Sequence, residues 1–299
     1  MISIKNVSKN YSSIKAVDQI ELTIQNSLVF GMLGTNGAGK STLLRMMAGI
    51  LKPDEGEIYI DEEPIWDNPK AKSKIFYISD EQFFYPNATP SDMISFYKNY
   101  YPEFDEVRFK EFINNFDLES TRKINTFSKG MKKQLSILLG ICSNAPYLLC
   151  DETFDGLDPV MRQAIKSLFI KEIETRGLTP IIASHNLREL EDICDHVGLL
   201  HKGGVLLSKD LAELKCNIVK VQCVLEPQYD ESLNQLLQII KMQRKGKLLT
   251  LTVRGNEEEI ESTINSMNPL YYESLPLSLE EIFISETEVV GYDMQNLIH

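Results

Sequence analysis

Residues 34–42 have the types and the spacing of a phosphate-binding loop. They match the pattern G-x-x-x-x-G-K-[ST] without a departure. The glycines let the backbone pass close to a phosphate, because no Cβ stands in the way. Lys40 would reach the β- and γ-phosphates of a nucleotide, and the hydroxyl of Ser41 would ligate Mg²⁺. The predicted ATP-binding residues are Gly34, Thr35, Asn36, Gly37, Ala38, Gly39, Lys40, Ser41 and Thr42.

The segments on either side of this loop support the same chemistry. Residues 28–33 form an apolar run that predicts a buried parallel strand, and residues 41–48 predict a helix of good helix formers. A strand that leads through a glycine loop into a helix directs backbone N–H groups and the helix N-terminus at an anion. A chance glycine-rich turn would explain neither flanking element.

Two further apolar strands end in polar residues. The strand Tyr147–Asp151 is followed by Glu152. In nucleotide hydrolases, the first such acid holds Mg²⁺, directly or through water, and the second orients or deprotonates the attacking water. His185 follows another apolar strand, where a lone histidine is most often a core residue. A doubly wound sheet would, however, deliver it to the same edge as Lys40 and the two acids.

Composition restricts the class of protein. The 299 residues include 31 basic and 43 acidic ones, which gives a net charge of −12 and argues against a broad nucleic-acid or anionic-lipid surface. We expect no signal peptide and no membrane span, because no apolar run approaches the roughly 20 residues that a span needs. The five cysteines lack C-x-x-C spacing and are interpreted as reduced core residues. The chain by itself is therefore predicted to be cytosolic.

Aromatic residues are concentrated between Phe76 and Phe116, where thirteen Phe and Tyr residues occur. Within this segment, Thr89, Pro90 and Asp92 predict the start of a helix through an N-cap, a first-position proline and an acid at the third position. One interpretation is a helical subdomain with its own aromatic core. The other is an exposed groove that anchors a partner helix.

Taken together, these stretches resemble the ATP-binding subunit of an ABC transporter over residues 1 to about 215. The resemblance implies that Tyr11 stacks on adenine, that Glu152 is the catalytic base and that His185 contacts the γ-phosphate, with Lys40 on the terminal phosphates. Residues 127–131 occupy the place of the signature L-S-G-G-Q, and residues 155–159 resemble the loop that follows the catalytic acid.

This sequence departs from the family pattern at two places. In the signature, Lys129 replaces the first glycine and Met131 the glutamine, whereas Ser128 and Gly130 are retained. The resemblance implies that Ser128, Lys129 and Gly130 reach the γ-phosphate across a dimer. Where the family carries a glutamine metal ligand, this chain has Asp80, with Gln82 two residues later. The predicted Mg²⁺ ligands are Ser41, Asp151 and Asp80, with Gln82 as the alternative to Asp80.

The predicted fold is α/β: a P-loop NTPase core of the ABC ATPase type over residues 1–215, including a helical subdomain at about 86–145. Residues 216–299 predict a small α+β lobe with strands at 218–225, 248–254 and 270–275 and helices at 230–240 and 256–267. This lobe has 13 acidic and six basic residues. It would be a stabilising appendage or a regulatory or dimer-supporting lobe.

The function implied by the resemblance is ATP hydrolysis at a dimer interface, driving substrate movement through a separate membrane subunit. The dimer would be a homodimer or a heterodimer with a sister ATPase chain, peripheral on the cytoplasmic side of the membrane and without a nucleic-acid partner. Residues 128–132 and 279–283 are more similar to ABC-2-type exporters than to importers. The alternatives are a non-transport ABC ATPase and a nucleotide-gated regulatory module; the single cassette argues against the first and Glu152 against the second.

Overall fold

A computed structural model describes residues 1–216, 218–275 and 277–282 of the protein. The chain divides into two compact units, Met1–Ser208 and a second that begins at Lys209.

Up to residue 210, the strands form two sheets. One is antiparallel with the order β2-β1-β4-β5, and the other has the order β10-β9-β3-β8-β7-β6. In the second sheet, β3 and β6 to β9 are parallel. The strands are β1 (Ile2–Tyr11), β2 (Ile14–Ile24), β3 (Phe30–Leu33), β4 (Glu55–Ile60), β5 (Glu63–Pro64), β6 (Ile75–Ile78), β7 (Tyr147–Asp151), β8 (Thr179–Ser184), β9 (His196–His201) and β10 (Gly204–Asp210).

Three of the longer helices of the first unit begin at residues whose side chains cap them. The side chain of Thr89 caps α3 in a capping box with Asp92, Ser128 caps α5, and Asp158 caps α6. The predicted helix start at Thr89 is therefore confirmed. These helices are α1 (Lys40–Met47), α2 (Pro69–Lys72), α3 (Pro90–Lys98), α4 (Glu106–Asn115), α5 (Lys129–Cys142), α6 (Pro159–Arg176) and α7 (Leu187–Glu191).

A continuous apolar core joins the two sheets of this unit to α1. It includes Ile4 of β1, Met32 of β3, Leu43 of α1 and Leu149 of β7, each at most 1% exposed. Strands β7 and β8 are buried at every position, as expected of parallel strands covered on both faces. The edge at which these strands end is therefore held in place by the core beneath it.

A buried carboxylate connects three helices of the first unit. Glu172 of α6 has no exposed surface and pairs with Arg108 of α4 and Arg176 of α6. The guanidinium of Arg176 also donates to the carbonyl oxygens of Ala145 (3.0 Å) and Ile141 (3.3 Å), the latter within α5. Glu172 and Arg176 together thus fix α4 and α5 to α6.

The second unit has its own sheet and core. Its elements are α8 (Leu211–Cys216), β11 (Ile218–Val224), α9 (Asp230–Leu236), β12 (Gln238–Lys245), β13 (Leu248–Arg254), α10 (Glu257–Asn265) and β14 (Tyr271–Leu275). The sheet is antiparallel with the order β12-β13-β11-β14, and Leu233 of α9 and Ile260 of α10 pack into its core. This order of elements, β-α-β-β-α-β from β11 to β14, is that of a ferredoxin-like unit.

The prediction of a helix over residues 230–240 is wrong at its C-terminal end. The helix stops at Leu236, and β12 follows and pairs with β13 through the turn at Gly246, whose φ is +62°. As an edge strand, β12 has exposed or half-buried side chains throughout and lacks the strict apolar alternation of a half-buried strand. Of the predicted exporter-like ending at residues 279–283, Phe283 lies outside the described residues.

Candidate nucleotide-binding site

The phosphate-binding loop connects the end of β3 to the first turn of α1. Gly37 and Gly39 have φ angles of +80° and +102°, in the region that favours glycine. A Cβ on Gly39 would lie 2.3 Å from the carbonyl oxygen of Ala16, so the loop also needs glycine there for space. Thr35 and Asn36 are exposed, Gly34 and Ala38 are buried, and Ser41 and Thr42 are half-buried. The loop therefore presents its exposed backbone beside a helix N-terminus, which is an anion-binding arrangement.

Lys40 places a buried cation against this loop. Its side chain is 5% exposed, and its Nζ donates to the carbonyl oxygens of Gly34 (2.8 Å) and Thr35 (3.3 Å). The same Nζ lies 3.5 Å from a carboxylate oxygen of Glu152. The cation is thus positioned between the loop and Glu152, the residue directly after β7.

Asp151 and Ser41 are in direct contact. The Oγ of Ser41 donates to Oδ1 of Asp151 at 2.8 Å, and the hydroxyl of Tyr77 donates to Oδ2 at 3.1 Å. Burial raises the pKa of Asp151 above its ordinary value, against the hydrogen bonds of Ser41 and Tyr77, which lower it. Burial and the neighbouring Asp151 raise the pKa of Tyr77 to about 12, so Tyr77 acts as a neutral donor. Two of the three predicted metal ligands are therefore adjacent.

Glu152 and His185 meet at the ends of neighbouring parallel strands. Nδ1 of His185 lies 2.9 Å from Oε2 of Glu152, and the backbone N–H of Glu152 donates to the carbonyl oxygen of Ala183 at 2.9 Å. Glu152 has a φ of +48°, an uncommon conformation for a residue with a side chain. The arrangement gives one carboxylate both a lysine and a histidine neighbour.

Asp80 and Gln82 make contacts that the sequence analysis did not anticipate. The carboxylate of Asp80 lies 3.5 Å from Nζ of Lys133, a residue of α5. The side-chain amide of Gln82 donates to the carbonyl oxygens of Ser79 (2.9 Å) and Asp80 (2.8 Å). In this arrangement the predicted third metal ligand is paired with a lysine.

Tyr11 and the signature residues lie at the surface. Tyr11 is 45% exposed at the end of β1, where it pairs with Ile14 across a short turn. Ser128 and Lys129 are exposed, and the Oγ of Ser128 accepts from the backbone N–H of Met131 at 3.2 Å. Gly130 lies so close to residue 156 that a Cβ on it would be 3.3 Å from that carbonyl oxygen. These groups are accessible to a ligand or a second chain.

Tyr77 and Lys133 were missed by the sequence analysis. Tyr77 lies on β6, which pairs with β7, so its hydroxyl reaches Asp151 only because of the strand order. Arg45 of α1 is also hydrogen-bonded to Tyr77, which raises the pKa of Arg45. Lys133 of α5 carried no signal either, because a lysine in the first turns of a helix is usually exposed.

The aromatic residues of this unit form a chain of ring contacts, here called the aromatic cluster. Phe76 of β6 contacts Tyr97 and Tyr101 at centroid distances of 5.0 and 5.4 Å. Phe96 contacts Tyr85, Tyr97 and Tyr100 at 5.0–5.2 Å, and Phe83 contacts Tyr85 at 6.0 Å. The members of the aromatic cluster are Phe76, Phe83, Tyr85, Phe96, Tyr97, Tyr100 and Tyr101.

The aromatic cluster continues from the sheet to the surface. Phe76 is buried, whereas Phe83, Tyr85 and Tyr100 are 80%, 50% and 61% exposed. The inner rings therefore belong to the core, and the outer rings form an exposed patch.

The site combines a glycine loop at a helix N-terminus with two acids. One acid accepts a hydrogen bond from the serine of the loop, and the other contacts both a lysine and a histidine. This arrangement defines a nucleotide hydrolase of the P-loop class. The family described as ABC transporter matches residues 17–155. The chain is 31% identical to the ABC transporter ATP-binding protein YtrB of Bacillus subtilis, over 96% of this chain and 98% of that protein. It therefore belongs to the ATP-binding subunits of ABC transporters.

Other relatives agree with this assignment. The chain is 33% identical to the bacitracin transport ATP-binding protein BcrA of Bacillus licheniformis, over 69% of this chain and 68% of that protein. The ATP-binding cassette MJ0796, solved as a dimer in a post-hydrolysis state with ADP and Pi, matches with a TM-score of 0.64 at 25% identity, covering 71% of this chain and 99% of that one. The protein is an ATPase subunit that drives transport. Among the described residues, no helix is long and apolar enough to cross a membrane.

Proposed function

We propose that two copies of the ATPase domain bind ATP between them and that Glu152 activates the attacking water. The observation that carries this proposal is the position of the Glu152 carboxylate, 3.5 Å from Nζ of Lys40 and 2.9 Å from Nδ1 of His185. A base must lie within reach of the γ-phosphate, and Lys40 is the residue that the loop aims at that phosphate. His185 holds the other carboxylate oxygen and would contact the γ-phosphate itself.

The second chain would complete each site with its signature helix. The exposed Ser128 and Lys129 and the partly exposed Gly130 stand at the N-terminus of α5, where backbone N–H groups and the helix dipole attract an anion. The exposed ring of Tyr11 would stack on the adenine base. Retention of both the base and the signature serine favours a homodimer with two working sites over a heterodimer with a sister chain.

The residues at the end of β7 fit a magnesium ion. The hydroxyl of Ser41 and the carboxylate of Asp151 are hard oxygen ligands 2.8 Å apart, and Mg²⁺ is usually held by one or two protein oxygens together with substrate phosphates and water. When bound, the ion neutralises charge on the phosphates. Asp80 would join these ligands after its pair with Lys133 opens.

The membrane partner would bind the exposed side of the aromatic cluster. An outward-facing patch of Phe83, Tyr85 and Tyr100 suits a short amphipathic helix from a separate membrane subunit on the cytoplasmic side. Export is supported by the ABC-2-like residues 128–132 and by the similarity to a protein named for bacitracin transport.

The test is a Glu152→Gln variant. ATP binding should persist while turnover falls by about 10² or more, because a positioned base contributes about that factor. The variant should also accumulate as an ATP-bound dimer, seen by sedimentation in the presence of ATP and Mg²⁺. Glu174→Gln, a change of the same kind at an exposed position of α6, is the control and should hydrolyse ATP normally. Near-normal turnover in Glu152→Gln would show that the base lies elsewhere.

A further inference from the structure

Lys133 is a buried lysine that contacts the backbone of the proposed catalytic base. Only 6% of the residue is exposed, and its Nζ donates to the carbonyl oxygen of Glu152 at 2.6 Å. The same Nζ lies 3.5 Å from a carboxylate oxygen of Asp80. One ammonium group therefore connects the residue after β7 to the loop after β6.

The position of Lys133 on its helix explains why its charge is buried. Ser128 caps α5, Lys129 is exposed and Lys132 is half-exposed, whereas Lys133 and Gln134 point into the protein. A buried ammonium group is tolerated only when it is paired and hydrogen-bonded. Asp80 supplies the opposite charge, and the carbonyl group of Glu152 supplies a short hydrogen bond.

The hydrogen bond matters because Glu152 has an unusual backbone. Its φ of +48° lies in the left-handed region, where a residue with a side chain stays only if its surroundings hold it. Its N–H is fixed by the carbonyl oxygen of Ala183, and its C=O by Lys133. Loss of the second contact would free one side of this residue and change the direction of its carboxylate.

The Asp80 contact extends this connection toward the aromatic cluster. Asp80 follows β6 and precedes Phe83 and Tyr85 in the same loop. A displacement of that loop would change the distance between Asp80 and Lys133, and through Lys133 it would change the hydrogen bond to the carbonyl group of Glu152. The signature helix, the loop and the base thus share one side chain.

We propose that Lys133 is a positioning residue that sets the orientation of Glu152 and couples it to Asp80. The proposal rests on the role of Glu152 as base. It differs from a purely structural role, in which Lys133 would stabilise α5 and the fold without an effect specific to turnover.

The experiment compares ATP hydrolysis by the full chain with Lys133→Met, Lys133→Arg and Asp80→Asn, and by the Asp80→Asn/Lys133→Met double variant. Lys133→Met should lower kcat by about tenfold or more, because small errors in the placement of a reacting group are costly. The KM for ATP and the melting temperature should change little, since the phosphate loop is intact. Lys133→Arg retains the charge and the donors and should recover most of the kcat. Lys132→Met is the matched control on the same helix and should behave as wild type.

The double variant tests the coupling to Asp80. All variants are compared at a Mg²⁺ concentration that saturates each of them, so that a weaker metal site does not lower the measured kcat. If one ion pair carries the effect, then Asp80→Asn should add no further loss of kcat to Lys133→Met under this condition. Losses that multiply would overturn the coupling. A wild-type kcat in Lys133→Met, or a loss of kcat with equal losses of ATP binding and melting temperature, would overturn the positioning role. Should Lys133→Met fail to fold, Lys133→Gln is measured in its place.

Glu152→Gln serves as the reference in the same assay. If Glu152→Gln loses ATP hydrolysis while Lys133→Met retains the wild-type kcat, then the positioning role of Lys133 fails and the proposed function stands. If Glu152→Gln remains active, then the proposed function itself fails.

Discussion

Two consecutive carboxylates at the end of β7 have different surroundings. Asp151 is buried and accepts hydrogen bonds from Ser41 and Tyr77. Glu152 adopts a left-handed backbone and directs its carboxylate to Lys40 and His185 instead. Acids with different partners can take different tasks, since environment sets the properties of each. This division suits a metal ligand beside a base.

Asp80 provides a test of the metal site at the level of one residue. If its carboxylate joins Ser41 and Asp151 on Mg²⁺, then Asp80→Asn should raise the Mg²⁺ concentration needed for half-maximal hydrolysis, because a charged oxygen ligand is lost. Binding of nucleotide in the presence of EDTA should be unchanged. Titration of Mg²⁺ at fixed ATP measures the effect.

Gln82→Ala is the companion variant, because Gln82 is the alternative ligand. In the structure, the side-chain amide of Gln82 donates to two carbonyl oxygens of its own loop. An unchanged Mg²⁺ requirement in Asp80→Asn, together with a raised one in Gln82→Ala, would assign the ligand to Gln82.

The contacts among motif residues could be predicted from the sequence, but their supports could not. Ser41 with Asp151, and Glu152 with His185, follow from the convergence of parallel strands at one edge. Tyr77 and Lys133 depend on which strand neighbours β7 and on which face of α5 is buried. These are long-range properties that no local pattern encodes.

At the level of elements, the segment between β6 and α4 serves two purposes. Phe76 and Tyr97 pack inward against the sheet, whereas Tyr85 and Tyr100 stay half or more exposed. Phe84 and Tyr97 are half-buried, whereas Phe83 is 80% exposed, so Phe83 is the third candidate anchor beside Tyr85 and Tyr100.

A Tyr85→Ala/Tyr100→Ala double variant should lose the membrane subunit while it retains ATP. Truncation of an anchor in an interface typically costs about 2 kcal/mol or more, so assembly should weaken at least about tenfold. Pull-down of the membrane subunit and nucleotide titration, on the same preparation, measure the two properties.

Trp66→Ala is the control for the loss of an exposed aromatic ring, because Trp66 is 42% exposed outside the aromatic cluster. It should leave assembly intact. A double variant that misfolds would assign Tyr85 and Tyr100 to the core, whereas normal assembly would place the docking surface elsewhere.

At the level of the whole molecule, the sequence predicted the P-loop core and the α+β lobe but missed one strand of the lobe's sheet. The P-loop core was predictable because its motifs occur in a fixed order along apolar strands. The lobe was predicted without β12. This strand is held by its hydrogen bonds to the hairpin partner β13, whereas the sequence pattern of β12 alone does not indicate a strand.

The separate core of the second unit leads to a prediction about the first. A chain that ends at Asp210 retains β10 and every residue of the nucleotide site. It should melt cooperatively and bind ATP with the affinity of the full chain, as judged by calorimetry on both. Loss of ATP binding in a chain that still folds would mean that the second unit contributes to the site.

The carboxylate of Glu172 makes the attachment of α4 and α5 to α6 sensitive to acid. Burial raises the pKa of Glu172, but the hydrogen bonds from Arg108 and Arg176 outweigh it and leave the pKa below its ordinary value of 4.5. The stabilisation is therefore complete above that value and is lost as the pH falls through the lower pKa of the folded state. Protonation would leave two arginines without their counter-ion, whereas the core that supports the parallel sheet is built from apolar side chains and Tyr147. Acid would thus loosen α4 and the signature helix α5 from α6 before it disrupts this core.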